Sequence, residues 1–485
     1  MLDKHLQVTS IVAPIADRWR QSGAQSPAVV AIIALVLGGI VGTATAFGPV
    51  YAVAGLIALV SGYFLLTSTD VGLAMVVAII TLLPFGTLPF KAIITPSFLT
   101  LALLGVMLVW IVRLLARSDT YDLRLSPPGL PLLGFLGLTF FSLVLGAGGL
   151  PDSLTLHNYV KFVLAILFFF TVVNCIRTRA QARLMLQVLI LCGGLAALIG
   201  LFLYVLNDQT TLRVLVALGR IGYPTSGRVV RYVEDDPGGL ERAIGTSVDP
   251  NSFGGMLVLV AALGGAQLFA ARPVVPRGML VSIMVLLVIT VLLTFSRAAL
   301  VGVIVAAMYL ATVRDRRLWW AMIGGGLLVA ILLVGLGMAE EFVQRLTDGV
   351  QFRDQAQQMR LAEYRNAVNI IARYPLFGIG FGAAPDIDLV AGVSSIYLAI
   401  AQRLGLLGLA AFLGIMVAWF VHTWQSVRQM DTEQLPWLLG TQAGLAAALA
   451  VGLADHYFFN IEFSHMVALF WGCAGLGMAI TLLQD

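Results

Sequence analysis

The sequence has 485 residues, of which 59% are hydrophobic and 11% charged. A soluble domain carries about 25% charged residues, so the composition excludes a soluble enzyme and implies an all-α, polytopic integral membrane protein. The formal net charge of +4 gives no reason to expect nucleic acid. Cys175, Cys192 and Cys473 lie inside apolar runs, as packing residues do, and not in a disulfide or metal framework.

Residues 1–26 are mixed in polarity, with Lys4, Arg18 and Arg20, and read as a cytoplasmic segment without a cleavable signal. Val8, Ile11, Ile15 and Trp19 are spaced for a short interfacial helix, which Pro14 interrupts. A run of about 20 apolar residues crosses a bilayer, and about fourteen candidates follow. Seven of them occupy 27–206: 27–46, 49–67, 71–88, 97–116, 129–147, 160–176 and 184–206. A first long loop covers 207–251, and four spans (252–271, 278–295, 298–313, 318–338) fill 252–338. A large loop, expected to be helical, covers 339–393, and three spans (396–421, 436–454, 465–482) fill 394–485. Basic residues such as Arg113, Arg117, Arg177, Arg179, Arg314 and Arg317 fall in alternate connections. The positive-inside rule then puts both termini in the cytoplasm and both long loops on the outer, periplasmic side of a bacterial inner membrane.

These two loops hold ten arginines and no lysine. Polar residues collect in loops anyway, but the choice of arginine suits bidentate binding of phosphate. In the first loop, Asp249-Pro250-Asn251 reads as a capped helix start, which accounts for Asp249 and Asn251 by capping alone. Arg242 lies just before it, placed either for an anion at that helix N-terminus or for a lipid headgroup. Arg297, in Thr294-Phe-Ser-Arg-Ala-Ala299, joins two spans with almost no loop, where a charge needs a partner or water. In the large loop, Leu361, Tyr364, Val368 and Ile371 recur at helical period, and Pro375 ends that helix. Gly378, Gly380 and Gly382 then permit tight turns and close backbone approach. Arg360, Glu363, Tyr364 and Arg365 share a turn and a half of the helix, where a solvated Glu363–arginine pair is the plainer reading. Arg403 lies about two turns inside the next span and requires an anion or a wet cavity. Asp455 and His456 close the following span as acid–base candidates, with a capping role as the alternative. No phosphate-binding P-loop, His-Glu-x-x-His or metal-spaced His/Cys run occurs, so metal-independent chemistry without a cofactor is expected.

The ordered set of motifs resembles the O-antigen ligase and Wzy-type polysaccharide polymerase superfamily. The matching pieces are Arg242 with Gly245 and Pro250-Asn251, then Phe295-Ser296-Arg297-Ala298. Arg360-x3-Tyr364 leads to Pro375-Leu-Phe-Gly-Ile-Gly380, and Tyr397-Leu398 is followed by Gly405-Leu-Leu-Gly408. The resemblance implies a GT-C-like membrane fold and transfer of a glycan from an undecaprenyl-type pyrophosphate carrier to an acceptor glycan. It implies that Arg242, Arg297 and Arg360, with Arg365 and Arg403 nearby, hold the pyrophosphate, and that Asn251, Tyr364 and Tyr397 position substrate. Partners would be the lipid-linked oligosaccharide, membrane lipids, and flippase, chain-length or export proteins. The family's His-Asn pair three residues before Tyr-Leu is replaced by Ser394 and Ser395, and a glutamate common near the motif's end by Arg403. The general base then falls to His456, Asp455 or Glu363. The expectation is a polymerase of lipid-linked repeat units. A ligase to another acceptor and a flippase or transporter of the same lipids are the alternatives.

Overall fold

A computed structural model describes residues 60–483, except 66, 89–94, 117–121, 226–228, 234, 235, 237, 315, 316, 336–339, 341–354 and 383–392. The segment 1–26, the span 27–46 and most of 49–67 lie outside the described residues, as does much of the loop 339–393. The chain forms two compact units, 1–67 and 68–485. Of the first, residues 60–65 and 67 are described and are helical.

In the second unit each of the remaining candidate spans contains a helix. In chain order these are α1 (Thr69–Leu82), α2 (Phe98–Ala116), α3 (Gly129–Leu145), α4 (Ser153–Cys175) and α5 (Arg179–Val205). A short helix, α6 (Asp208–Ala217), lies in the first loop. Then come α7 (Pro250–Leu268), α8 (Arg277–Leu293), α9 (Arg297–Val313) and α10 (Arg317–Gly335). The large loop contributes α11 (Gln355–Arg373), followed by α12 (Ile396–Ser426), α13 (Gln434–Val451) and α14 (Ser464–Thr481). Among the described residues there are only isolated β-bridges and no named strand. Six helices are long and apolar enough to cross a membrane by length and composition: α2, α4, α5, α7, α12 and α14. The chain is thus a multi-pass membrane protein.

The helices sort by what surrounds them. α7 and α14 are apolar on every side and almost wholly buried, as the centre of a bundle requires. Small residues let backbones close in on them: a Cβ on Gly475 of α14 would lie 2.8 Å from the Phe169 carbonyl of α4. Two polar pairs cross between helices, as apolar surroundings favour. Tyr309 donates to Gln442 Oε1 at 2.9 Å, and Trp419 Nε1 to the Ala474 carbonyl at 2.9 Å.

Charges concentrate at the two ends of the bundle. At one end Arg113 donates to Thr69, Gln181 to Asp70, and Arg179 pairs with Asp431 at 2.6 Å. The long loops leave from the other end. There α12 departs from the expected continuous span, because Gly405 (φ 71, ψ −176) breaks it. The carbonyls freed at Gln402 and Arg403 accept from the amides of Ile379 and Gly380 at 3.0 and 2.9 Å. Leu406 N donates to the Pro375 carbonyl at 2.7 Å. The segment 374–382 therefore plugs the break, which satisfies backbone groups that could not be left open in a membrane span. Ser142 of α3 secures the joint, its hydroxyl donating to the carbonyls of Arg403 and Phe377 at 2.5 and 3.1 Å. Gly380 (φ 75) has no room for a side chain: a Cβ would lie 2.2 Å from the Ser142 carbonyl oxygen.

α11 has the expected period but a rotated face. Ala367 and Ile370 are buried, whereas Val368 is 56% exposed. Polar contacts set the rotation. Glu363 accepts from the amide and hydroxyl of Ser394 at 3.0 and 2.7 Å, and Tyr364 donates to the Ser394 and Leu453 carbonyls. Glu363 is thus engaged with Ser394 and not in a solvated arginine pair.

Candidate active site

Several segments meet at the loop-bearing end: 231–233 with 240–251, then 294–297, 360–364 and 453–457. The first is anchored by its backbone, with Ala243 N donating to the Leu293 carbonyl at 2.8 Å. Arg242 then spans two helix ends. Its Nε donates to the Thr294 carbonyl at 2.8 Å, and a terminal nitrogen donates to Asn251 Oδ1 at 2.7 Å. Asp249 caps α7, its carboxylate accepting from Ser252 N at 2.7 Å, with Pro250 at the first helical position. Capping therefore accounts for Asp249, while Asn251 serves Arg242.

Arg297 opens α9, behind a Ser296 cap and a left-handed Phe295 (φ 50). A cation in the first turn opposes the helix dipole, and a non-glycine residue in that backbone region carries strain. Neither feature favours the helix, so the corner is organised for something other than helix stability. Through the Thr294 carbonyl it is tied directly to Arg242.

Asp455 is the centre of this end. It is 6% exposed. Its Oδ1 accepts from the His456 amide at 3.0 Å and lies 3.6 Å from His456 Nδ1. Arg360 approaches Oδ2 only to 4.0 Å, beyond hydrogen-bonding distance, and Oδ2 has no hydrogen-bond partner among the described residues. Burial, followed by the Asp249 charge, pushes the Asp455 carboxyl up to about 7, against the pull of Arg360, the His456 amide and Arg242. The neighbouring His456 is driven down, chiefly by burial, and is therefore neutral near pH 7. The carboxyl exchanges its proton near neutrality, as a general base should.

The other expected site residues fall at graded distances from this centre. Glu363 and Arg403 both act electrostatically on His456. Arg403 also donates to the Gly380 carbonyl at 3.3 Å and lies over the Phe381 ring at 5.5 Å, so its guanidinium holds the inserted segment. Tyr364 bridges two carbonyls, as described, and Tyr397 donates to the Leu449 carbonyl at 2.8 Å, joining α12 to α13. Arg365 is exposed on α11. Arg242, Asn251, Arg360, Asp455 and His456 are brought together, with Arg297 at the adjoining corner.

Sequence reasoning missed three contributors. Asp249 adds its charge to Asp455 as well as capping a helix. Tyr457 is buried beside them, its hydroxyl within Coulombic reach of Asp455 and Asp249. Arg231 exerts its charge on Arg242. The only signals for these were the Asp455-His456-Tyr457 triplet and the arginine count of the loop.

Fold and site together define a multi-pass membrane protein with an arginine–carboxylate centre at one end of its helical bundle. Residues 282–413 match the family model Wzy_C, O-antigen ligase. No curated protein matches the chain. The matched residues contain Arg297, Arg360, Glu363, Tyr364, Arg365, Tyr397 and Arg403. Arg242, Asn251, Asp455 and His456 lie outside them and reach the centre through the fold.

Proposed function

We propose that the protein polymerises oligosaccharide repeat units carried on a polyprenyl pyrophosphate, at the outer face of a bacterial inner membrane, to make an exopolysaccharide, capsule or O-antigen. One observation supports the reading: arginines from two separate segments, Arg242 and Arg360, act on a single buried carboxyl whose pKa is pushed up to about 7.

In the reaction a hydroxyl of the incoming unit attacks the anomeric carbon of the pyrophosphate-linked sugar. The new glycosidic C–O bond forms as the bond from that carbon to pyrophosphate breaks. The hydroxyl proton passes to Asp455, and the leaving pyrophosphate takes the bonding electron pair. Arg242, Arg297 and Arg360 face the growing negative charge, and fixed cations in a water-poor site stabilise such a transition state strongly. The family description favours a second reading, transfer to a different acceptor as in a ligase. Ser394 and Ser395, where the resemblance expects His-Asn, weigh toward the polymerase.

The test is reconstitution in liposomes or detergent with short-chain polyprenyl-pyrophosphate repeat units and a chelator. A ladder of products that falls about 10²–10³-fold in Arg297→Ala and Arg360→Ala is expected. A single transfer, seen only after another acceptor is added, would establish the ligase. Movement of the lipid-linked sugar across the bilayer without a new glycosidic bond would sink the enzyme reading.

A further inference from the structure

The first loop contains a short antiparallel ladder. Val233 N donates to the Leu240 carbonyl at 2.9 Å, Arg242 N to the Arg231 carbonyl at 2.8 Å, and Tyr232 bridges to Glu241 between them. In this register Arg231 stands directly opposite Arg242. Side chains of directly opposed residues leave the same face of a ladder, while their neighbours leave the other. Two arginines thus share one face, and Tyr232 and Glu241 share the opposite one. Like charges placed directly across a ladder repel, and no acidic side chain pairs with Arg231 among the described residues.

The two guanidinium groups are committed to different degrees. Arg242 is fixed by the Thr294 carbonyl and Asn251, as a strut between helix ends. Arg231 has a buried Nε without a hydrogen-bond partner among the described residues. A buried donor left open favours a ligand that supplies an acceptor. The charges of Asp249 and Asp455 act on Arg242, and Asp455 also feels Arg360.

We infer that Arg231 is a further substrate-binding residue, whose open guanidinium fork takes one phosphate of the diphosphate that Arg242 steadies from across the ladder. The inference rests on the pyrophosphate reading of the site and extends it to a residue outside the matched family segment. Arg242 supplies position and charge, and Arg231 supplies bidentate contact, which only an arginine fork provides.

The test is titration of the purified full chain in detergent with inorganic pyrophosphate and with farnesyl pyrophosphate, comparing Arg231→Ala, Arg231→Lys and Arg220→Ala. Arg220 is exposed in the same loop, so its loss controls for general charge. Removing a charge-assisted bidentate contact should weaken both ligands about ten- to a hundredfold. Arg231→Lys, which keeps the charge without the fork, should lie between wild type and alanine, and Arg220→Ala within about twofold of wild type. The ligand-free melting midpoint of Arg231→Ala should not fall, because no intramolecular bond is lost. Tighter binding of farnesyl than of inorganic pyrophosphate assigns the anion to a lipid carrier, and equal binding to a free diphosphate. Undiminished binding in Arg231→Ala, or wild-type binding in Arg231→Lys, overturns the inference and leaves the pyrophosphate site standing. If the unmodified protein binds neither ligand, the pyrophosphate reading falls first and this inference with it.

Discussion

Replacing Asp455 by asparagine removes a charge that the fold resists. Asparagine has nearly the shape of the protonated acid and can still accept from the His456 amide. The carboxyl's pKa rises from an ordinary 3.8 to about 7 in the folded protein, first because it is buried and second because Asp249 is close. At ~1.4 kcal/mol per pH unit, ionising it in the folded state costs about 4 kcal/mol more than in the unfolded chain. The sign follows from proton binding. Between pH 3.8 and about 7 the folded state holds a proton that the unfolded chain has lost, so wild-type stability falls as pH rises through this window. It levels off above pH 7, when both states are ionised. Asparagine does not titrate, so the variant should gain on wild type by about 2–3 kcal/mol between pH 5 and pH 8. Unfolding in detergent, followed by tryptophan fluorescence at four pH values, reads this gap. The same variant should lose transfer activity, since it cannot accept the hydroxyl proton. Stabilised and inactive together is the mark of a site held in a costly state for function. A gap that stays constant or shrinks with pH would refute the argument, because the carboxyl would then not be strained by its surroundings.

Two further substitutions separate positioning from chemistry. Gly380→Ala should cost at least about 1–2 kcal/mol for its left-handed backbone alone. More follows from the collision with the Ser142 carbonyl, so it should yield little folded protein, whereas Gly414→Ala, with open space around it, should express normally; size-exclusion profiles in detergent compare them. Glu363→Gln keeps an oxygen for Ser394 and should retain most activity, while Glu363→Ala should lose roughly tenfold, as expected when one charge-assisted hydrogen bond is removed; equal loss in both, measured as kcat in the ladder assay, would make Glu363 the base instead of the strut.

The helices were legible because a membrane span is written as a long apolar run, and each run that the structure describes became a helix. The three glycines after Pro375 were legible for a related reason: backbone approach leaves glycine as its trace, and Gly378, Gly380 and Gly382 all lie against other backbone. The break at Gly405 was hidden, since Gly405-Leu-Leu-Gly408 continues the apolar run without a change of composition. Its stability depends on amides arriving from 379 and 380, which local sequence does not reveal. The face of α11 was misjudged by a similar margin. Period can be read from residue spacing, but phase was decided by Glu363 and Tyr364 reaching Ser394 and Leu453, contacts made across the loop. Arg231 belongs to the same class, because its partner across the ladder is set by register and not by spacing.

Ser394, where the resemblance expects a histidine, has a defined place in the structure. Ser394 is turned to Glu363, which accepts from both its amide and its hydroxyl, so this serine is occupied as a strut. The Tyr364 hydroxyl meets the Ser394 carbonyl at 2.9 Å and the Leu453 carbonyl at 3.3 Å, which brings the vacated position beside the turn that carries Asp455. Ile396 N also donates to the Gly452 carbonyl at 2.8 Å, closing the two segments together from the other side. A base at position 394 and a base at 455 would therefore work from adjoining segments. With Asp455 as the proposed base, the proton acceptor sits one segment away from position 394. The raised, near-neutral pKa needed for that role comes from burial and from Asp249, a residue already required to cap α7. A base at 455 therefore depends on the turn 453–457 being tied to Tyr364.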